Sequence, residues 1–165
     1  VPGLRVPELF QEFRRLVRRM RRSGVVVLLY ACMDNHYHLV VRVLEGGSLG
    51  DAMRDLFAGL ARRINRFFGR KGSVFTDRFY SVIALSVAQI WTLFNYVARN
   101  AAAAGIPVAG WDAFSGVDTA SMSEWRFLRG IFGPAGRLLD ELLLRMARFV
   151  VPYAPLRERL QLSLF

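Results

Sequence analysis

Apolar side chains recur at helical spacing near the start of the chain. Val6, Leu9, Phe10, Phe13, Leu16, Val17 and Met20 fall on one stripe, with Pro7 tolerated in the first turn. Arg14, Arg15, Arg18, Arg21 and Arg22 occupy the opposite face, and Gly24 supplies a stop. The pattern then changes. "VVVLLYACM" (25–33) is β-branched and continuously apolar, Asp34 and Asn35 are turn formers, and "HYHLVVRVL" (36–44) alternates as an antiparallel return strand. In that strand Tyr37, Leu39, Val41 and Val43 share one face, and His36, His38, Val40 and Arg42 share the other.

Beyond the loop "EGGS", Ser48 with Asp51 signals a helix start. Met53, Leu56, Phe57, Leu60, Ile64, Phe67 and Phe68 then form an apolar stripe, with Arg54, Arg62, Arg63, Arg66 and Arg70 off it. "GRKGS" breaks this helix, and "VFTDRFYSVIAL" (74–85) is expected to contain a further strand. Ser86 and Gln89 make a capping box that opens a helix from about 87 to 103, stopped near Gly105 and Pro107. Its predicted buried stripe is Val87, Ile90, Phe94 and Val97. "GWDAFSG" reads as irregular and "MSEWRFLRGIF" as a short helix. Leu138, Leu139, Leu142, Leu143, Met146, Phe149 and Val150 read as a final amphipathic helix. No internal repeat, low-complexity tract or linker divides the chain. The sum is an α+β domain with a small antiparallel sheet.

A length of 165 residues suits one domain that buries a real core without disulfides. Cys32, the only cysteine, lies inside an apolar run and reads as a small buried hydrophobe in a reducing compartment. It excludes an internal disulfide and any zinc-knuckle spacing. A net charge of +10, carried by arginine except for Lys71, makes polyanions the natural partner, nucleic acid first. "VVVLLYACM" is about half the ~18–20 residues a membrane span needs, and arginines interrupt the first helix where a signal peptide would be apolar. The expected protein is soluble and cytoplasmic, associated with the nucleoid.

His36 and His38 are the only histidines, two residues apart, and in a strand they stand on the same face. Neutral imidazole is a common metal ligand, although such a pair also fits a structural role. On the helix that follows Ser86, Gln89, Leu93, Tyr96 and Asn100 align along one flank of the apolar stripe. If that helix lies against the histidine face, Asn100 supplies an oxygen ligand and Tyr96 stands beside the ion. Two imidazoles and an amide oxygen suit Mg²⁺ or Mn²⁺ acting as a Lewis acid on a phosphate, and a tyrosine there can serve as nucleophile.

The block "HYH" resembles the HUH motif (His, bulky hydrophobic, His) of the single-tyrosine transposases. "MDNHYHLVV" is similar to "MPNHVHLL" of that family, and "GSVFTDRFYSVI" resembles the G-x-[LV]-[WF]-x-x-R-[FY] segment of its REP-associated tyrosine transposases. "YVARNAAAAGI" resembles their "YIxxNPxxAGL", and "ARRINRFFGRKG" their arginine-rich helix end. The blocks stand in the family order and cover roughly residues 8 to 115. The resemblance implies a ferredoxin-like antiparallel sheet with helices packed on it. It implies an HUH transposase domain over residues 1–115, with 116–165 as a C-terminal helical extension of the same domain.

It further implies that His36, His38 and Asn100 hold Mg²⁺ or Mn²⁺ and that Tyr96 attacks single-stranded DNA near a REP-like hairpin, leaving a 5′-phosphotyrosyl link and a free 3′-hydroxyl. Arg62, Arg63, Arg66, Arg70, Lys71 and Arg78 lie near the matched blocks and are the candidate DNA-binding residues. Phe79 and Tyr80 are candidates for base stacking or for the core. Asp34 and Ala101 replace prolines of the family pattern. The family opens with a strand ahead of its first helix; this chain starts at "VPGLRVPELF", almost directly in the helix, so that strand is expected to be missing. Monomer and homodimer both stay open. A decayed or repurposed transposase that binds hairpins without turnover is the alternative, and a water-activating metal hydrolase is a third class.

Overall fold

The computed structural model describes residues 3–76, 78–106, 112–116, 130 and 133. In it the first apolar stripe becomes helix α1 (Pro7–Arg19). Pro7 sits in the first turn, where its missing N–H has no intrahelical partner to lose. Arg18 and Arg19 close the last turn, where positive charge meets the partial negative end of the helix. A 3₁₀ turn over Met20–Ser23 tightens the end, and Gly24 takes a left-handed φ of 68° to start the first strand. No other residue fits there: a Cβ would stand 2.6 Å from the Cα of Gly47.

Strands β1 (Val25–Cys32) and β2 (Tyr37–Val43) pair antiparallel. Val27 faces Val41 and Leu29 faces Val40, which leaves Leu28 as an extra residue on β1. This bulge shifts the alternation by one. Val25 and Val27 before it, and Tyr30 and Cys32 after it, therefore enter the same core. On β2 the spacing runs unbroken, and Tyr37, Leu39 and Val41 line that core as their alternation predicts. Helix α2 (Leu49–Phe67) starts at Ser48, whose Oγ accepts a hydrogen bond from the Asp51 amide. It packs beside α1, with Leu16 seated on Gly59 so closely that a Cβ there would be 2.7 Å from the leucine side chain. Phe13 stacks on Tyr37 with centroids 4.6 Å apart and meets Tyr30 edge-on at 5.3 Å. Each such buried ring contributes roughly 1.5–3 kcal/mol by leaving water.

The opposite face of the sheet is covered by α3 (Val87–Ala103). Its cap falls at Ser86 as the sequence predicts, with the Gln89 amide donating to Ser86 Oγ at 3.2 Å, but the Gln89 side chain reaches one residue past the capping-box position, its Oε1 accepting the Leu85 amide at 2.6 Å. The predicted stripe needs correction at its start. Val87 is 46% exposed and Ile90 only half-buried, because α3 is buried from Phe94 onward, through Val97, Asn100 and Ala101. The uncharged run from Phe79 to Ala98 is divided at the Ser86 cap. Among the described residues no helix is long and apolar enough to cross a membrane.

A third strand, β3 (Ser115–Gly116), pairs antiparallel with β1 opposite Ala31 and Tyr30, giving the order β2-β1-β3. The sequence marks this stretch as irregular; a distant arginine fixes it. Arg5 donates through Nη1 to the Cys32 carbonyl at 2.8 Å and to Asp112 Oδ2 at 2.9 Å, and its Nη2 bonds Asp112 Oδ1. Its guanidinium lies 4.7 Å from the centroid of the Phe114 ring. Ser115 Oγ donates to Asp112 Oδ2 at 2.7 Å. The clamp holds residues 112–116 against the edge of β1.

The strand expected within 74–85 does not form over its described residues. Val74, Phe75 and Phe79 pack against the core, while Tyr80, Ile83 and Leu85 are more than three-quarters exposed. The segment has the residue types of a strand but joins no ladder with β1 or β2 among the described residues; the short strand that pairs on the other side of β1 is β3. The short helix predicted after residue 121 and the amphipathic helix over 138–150 lie outside the described residues. So does nearly all of the 116–165 extension. What the described residues form is an α+β unit with a three-stranded antiparallel sheet.

Candidate active site

The turn between β1 and β2 aims the histidines. The Met33 amide donates to the His36 carbonyl at 2.9 Å, closing the turn over Asp34 and Asn35. His36 leaves this turn exposed at the mouth of β2, and His38, two residues on, is buried on the face that α3 covers. Their rings stand perpendicular with centroids 4.6 Å apart, and the two Nε2 atoms are 2.9 Å apart. Asn35 Oδ1 lies 2.6 Å from His36 Nδ1. An amide oxygen can only accept, so the His36 proton sits on Nδ1. Although His36 is exposed as a residue, partial desolvation of its ring holds the imidazole below its ordinary pKa, which favours the neutral form. Its Nε2 lone pair then faces His38. Asn35, read from the sequence as a turn former alone, thereby sets the tautomer of its neighbour.

α3 brings Tyr96 to this pair. Its ring meets His38 edge-on at 5.4 Å between centroids and is 56% exposed, open to a large substrate. Asn100 follows one turn later on the same helix, 8% exposed, and no hydrogen bond engages its side chain among the described residues. The structure thus joins His36, His38 and Tyr96 directly and places Asn100 as a buried, uncommitted amide on the same helix.

The spacing of the two imidazoles matches that of adjacent ligands around a small divalent cation. Octahedral Mg²⁺ has bonds of about 2.0–2.1 Å, and adjacent ligands on such a shell stand about 2.9 Å apart. That is the separation of the two Nε2 atoms. Among the described residues no three His, Cys, Asp or Glu side chains cluster, and the buried Asn100 amide lies on the helix that covers the histidine face.

The six basic candidates separate. Arg62, Arg66, Lys71 and Arg78 are exposed, and Arg63 and Arg70 are half-buried. Arg70 Nη2 donates to the Ser73 carbonyl at 3.2 Å, which commits part of its guanidinium to its own loop. Phe79 packs on the core, whereas Tyr80 is 76% exposed, so of the two stacking candidates Tyr80 offers its ring face. Cys32 is fully buried, and burial pushes its thiol up to about 12, which removes it as a nucleophile.

No family model, curated protein or solved structure matches this chain.

Proposed function

We propose that this chain is a metal-dependent single-tyrosine endonuclease and strand transferase of the HUH class, acting on single-stranded DNA at hairpins as REP-associated tyrosine transposases do. One observation carries the reading: two imidazoles converge through Nε2 at 2.9 Å, with an accessible tyrosine packed edge-on against one of them. Tyr96 lies almost 60 residues from His38 in the chain, and the packing of α3 brings the two rings together. The finer fold, a ferredoxin-like sheet, belongs to the same proposal.

Bound by His36, His38 and Asn100, Mg²⁺ or Mn²⁺ would polarise a scissile phosphate. The remaining work falls to the chain itself. His38 sets the orientation of the Tyr96 ring. Tyr96 Oη attacks phosphorus, the tyrosyl P–O bond forms, and the bond from phosphorus to O3′ breaks. The phenolic proton is given up and the departing 3′-oxygen leaves as a hydroxyl, so protons balance. The same 3′-hydroxyl can attack the phosphotyrosine in reverse, and strand transfer needs no nucleotide cofactor. Exposed Arg62, Arg66, Lys71 and Arg78 supply charge for the phosphate backbone.

A labelled hairpin oligonucleotide with a single-stranded flank, incubated with Mn²⁺ and run on a denaturing gel, tests this. The expected result is a shifted covalent protein–DNA band that Tyr96→Phe and His36→Ala both abolish. Cleavage that survives Tyr96→Phe without a shifted band would move the chemistry to activated water. Binding without cleavage would favour the hairpin binder.

A further inference from the structure

We propose that Arg5 is a positioning residue of the candidate active site, a role that rests on the metal and tyrosine chemistry given above. It locks the strand that leads into the histidine turn to the segment that follows the tyrosine helix. One guanidinium reaches both. Its Nη1 donates to the Cys32 carbonyl at 2.8 Å and to Asp112 Oδ2 at 2.9 Å, and its Nη2 bonds Asp112 Oδ1. Cys32 is the last residue of β1, just before the turn that carries His36. Asp112 stands beyond the end of α3, the helix of Tyr96 and Asn100. The two halves of the site are thus tied through a side chain that belongs to neither.

Backbone bonds reinforce the tie at both ends. The Leu4 amide donates to the Asp34 carbonyl at 2.7 Å, so residues 4 and 5 grip the histidine turn from one side. The Cys32 amide donates to the Phe114 carbonyl at 2.9 Å, so the segment after α3 grips the strand from the other. Within the turn the Met33 amide bonds the His36 carbonyl at 2.9 Å. A shift at Cys32 or Asp34 therefore reaches His36 through a few planar peptide units. At the far end Ser115 Oγ donates to Asp112 Oδ2 at 2.7 Å and the Phe114 amide to Asp112 Oδ1 at 3.3 Å, which fixes the carboxylate that Arg5 meets. The Phe114 ring, 4.7 Å from the guanidinium, fixes the plane of the fork.

Stability alone does not account for an arginine here. A buried ion pair contributes little net stability compared with an apolar contact of the same volume. What the pair adds is a fixed distance between two segments. The site needs that distance, because its groups lie on separate elements: the imidazoles on the β1–β2 hairpin, Tyr96 and Asn100 on α3. His36 is exposed at the end of its strand, where packing does little to hold it. Binding groups have to be held within about 0.5 Å of the productive geometry. A misplacement of about 1 Å, even one caused far from the reacting atoms, costs on the order of 100-fold in rate.

The test compares the full chain with Arg5→Gln, Arg5→Lys and Ile64→Val, the last a mild change at a fully buried position of α2. All are assayed below their melting transitions, followed by circular dichroism. Mn²⁺ affinity is read by titration calorimetry. The rate of covalent adduct formation is read in single turnover at saturating Mn²⁺ and hairpin oligonucleotide. Arg5→Gln is expected to weaken Mn²⁺ binding about 10–100-fold and to slow the saturated rate by a similar factor, with oligonucleotide affinity changed less than about twofold. Arg5→Lys keeps the charge but not the fork that spans carbonyl and carboxylate, so it falls between. Ile64→Val lowers the melting temperature and leaves both readouts within about twofold of wild type. If Arg5→Gln does not fold, Arg5→Lys decides by the same readouts. Wild-type Mn²⁺ affinity and rate in a folded Arg5 variant overturn the proposal and leave the transposase reading standing. So does a loss in Ile64→Val as large, per degree of melting temperature, as that in the Arg5 variants. Absence of both Mn²⁺ binding and adduct in wild type overturns the two together.

Discussion

Tyr37 and His38 are neighbours on β2, yet Tyr37 is stacked under Phe13 in a dry aromatic core while His38 meets Tyr96, a ring more than half exposed. The contrast extends to reactivity. On the core face burial pushes the Cys32 thiol up to about 12 and raises the Tyr37 phenol well above its usual range. Two residue types capable of nucleophilic chemistry are silenced there. On the α3 face a tyrosine of the same type is left open beside two imidazoles. Residue identity supplies the chemistry, and burial decides whether it is available. The core face supplies the stability that lets the other face carry polar, half-exposed groups.

The comparison breaks most visibly at the groups that hold the sheet. Asp112 is 4% exposed and Arg5 13%, so removing one charge strands the other in the interior. Asp112→Asn is expected to cost about 3–5 kcal/mol by thermal or urea denaturation at neutral pH. Burial alone would raise the Asp112 carboxyl, but hydrogen bonds from Arg5 and Ser115 outweigh it and hold the pKa below the usual value. A carboxyl lowered in the folded state stabilises fully above its unfolded pKa and loses that contribution as pH falls through the folded one. The stability gap between wild type and Asp112→Asn should therefore narrow below about pH 4. A gap that is constant with pH would remove the ion pair from the account.

Phe13→Ala should cost about 3–5 kcal/mol, since Phe13 is fully buried between Tyr30 and Tyr37. If it unfolds no more easily than variants on the α3 face, the division of labour between faces fails. A smaller effect is expected at Asn35. Asn35→Ala should weaken Mn²⁺ binding, followed by titration calorimetry, about 10–100-fold, because the His36 tautomer is no longer fixed. Asn35→Asp, which keeps an acceptor oxygen, should retain most of it. Equal losses in both would assign Asn35 to the turn alone. Smallest is the stability change on Tyr96→Phe, within about 0.5 kcal/mol for an exposed hydroxyl. A large destabilisation would make Tyr96 a structural residue.

Much of this was legible in the chain. The stripe from Leu9 to Met20, the alternation of Tyr37, Leu39 and Val41 and the caps at Ser48 and Ser86 are local signals, and local backbone chemistry resolves them. The i, i+2 spacing of His36 and His38 puts both on one face of an extended strand. The strand expected in 74–85 failed for the opposite reason. Its residues favour extended backbone, but a strand exists only with a partner, and among the described residues this segment pairs with none of the three strands.

The sequence by itself determined α1, α2 and α3, the hairpin and the shared face of the two histidines, because each depends on neighbours within a few residues. Tertiary structure alone decided the rest. Leu28 bulges only when β1 is set against β2, Asp112 becomes a clamp only when Arg5 reaches it from the other end of the described chain, and Tyr96 meets His38 only when α3 docks. Such contacts join residues far apart in sequence, and no local periodicity carries a record of which distant group will arrive.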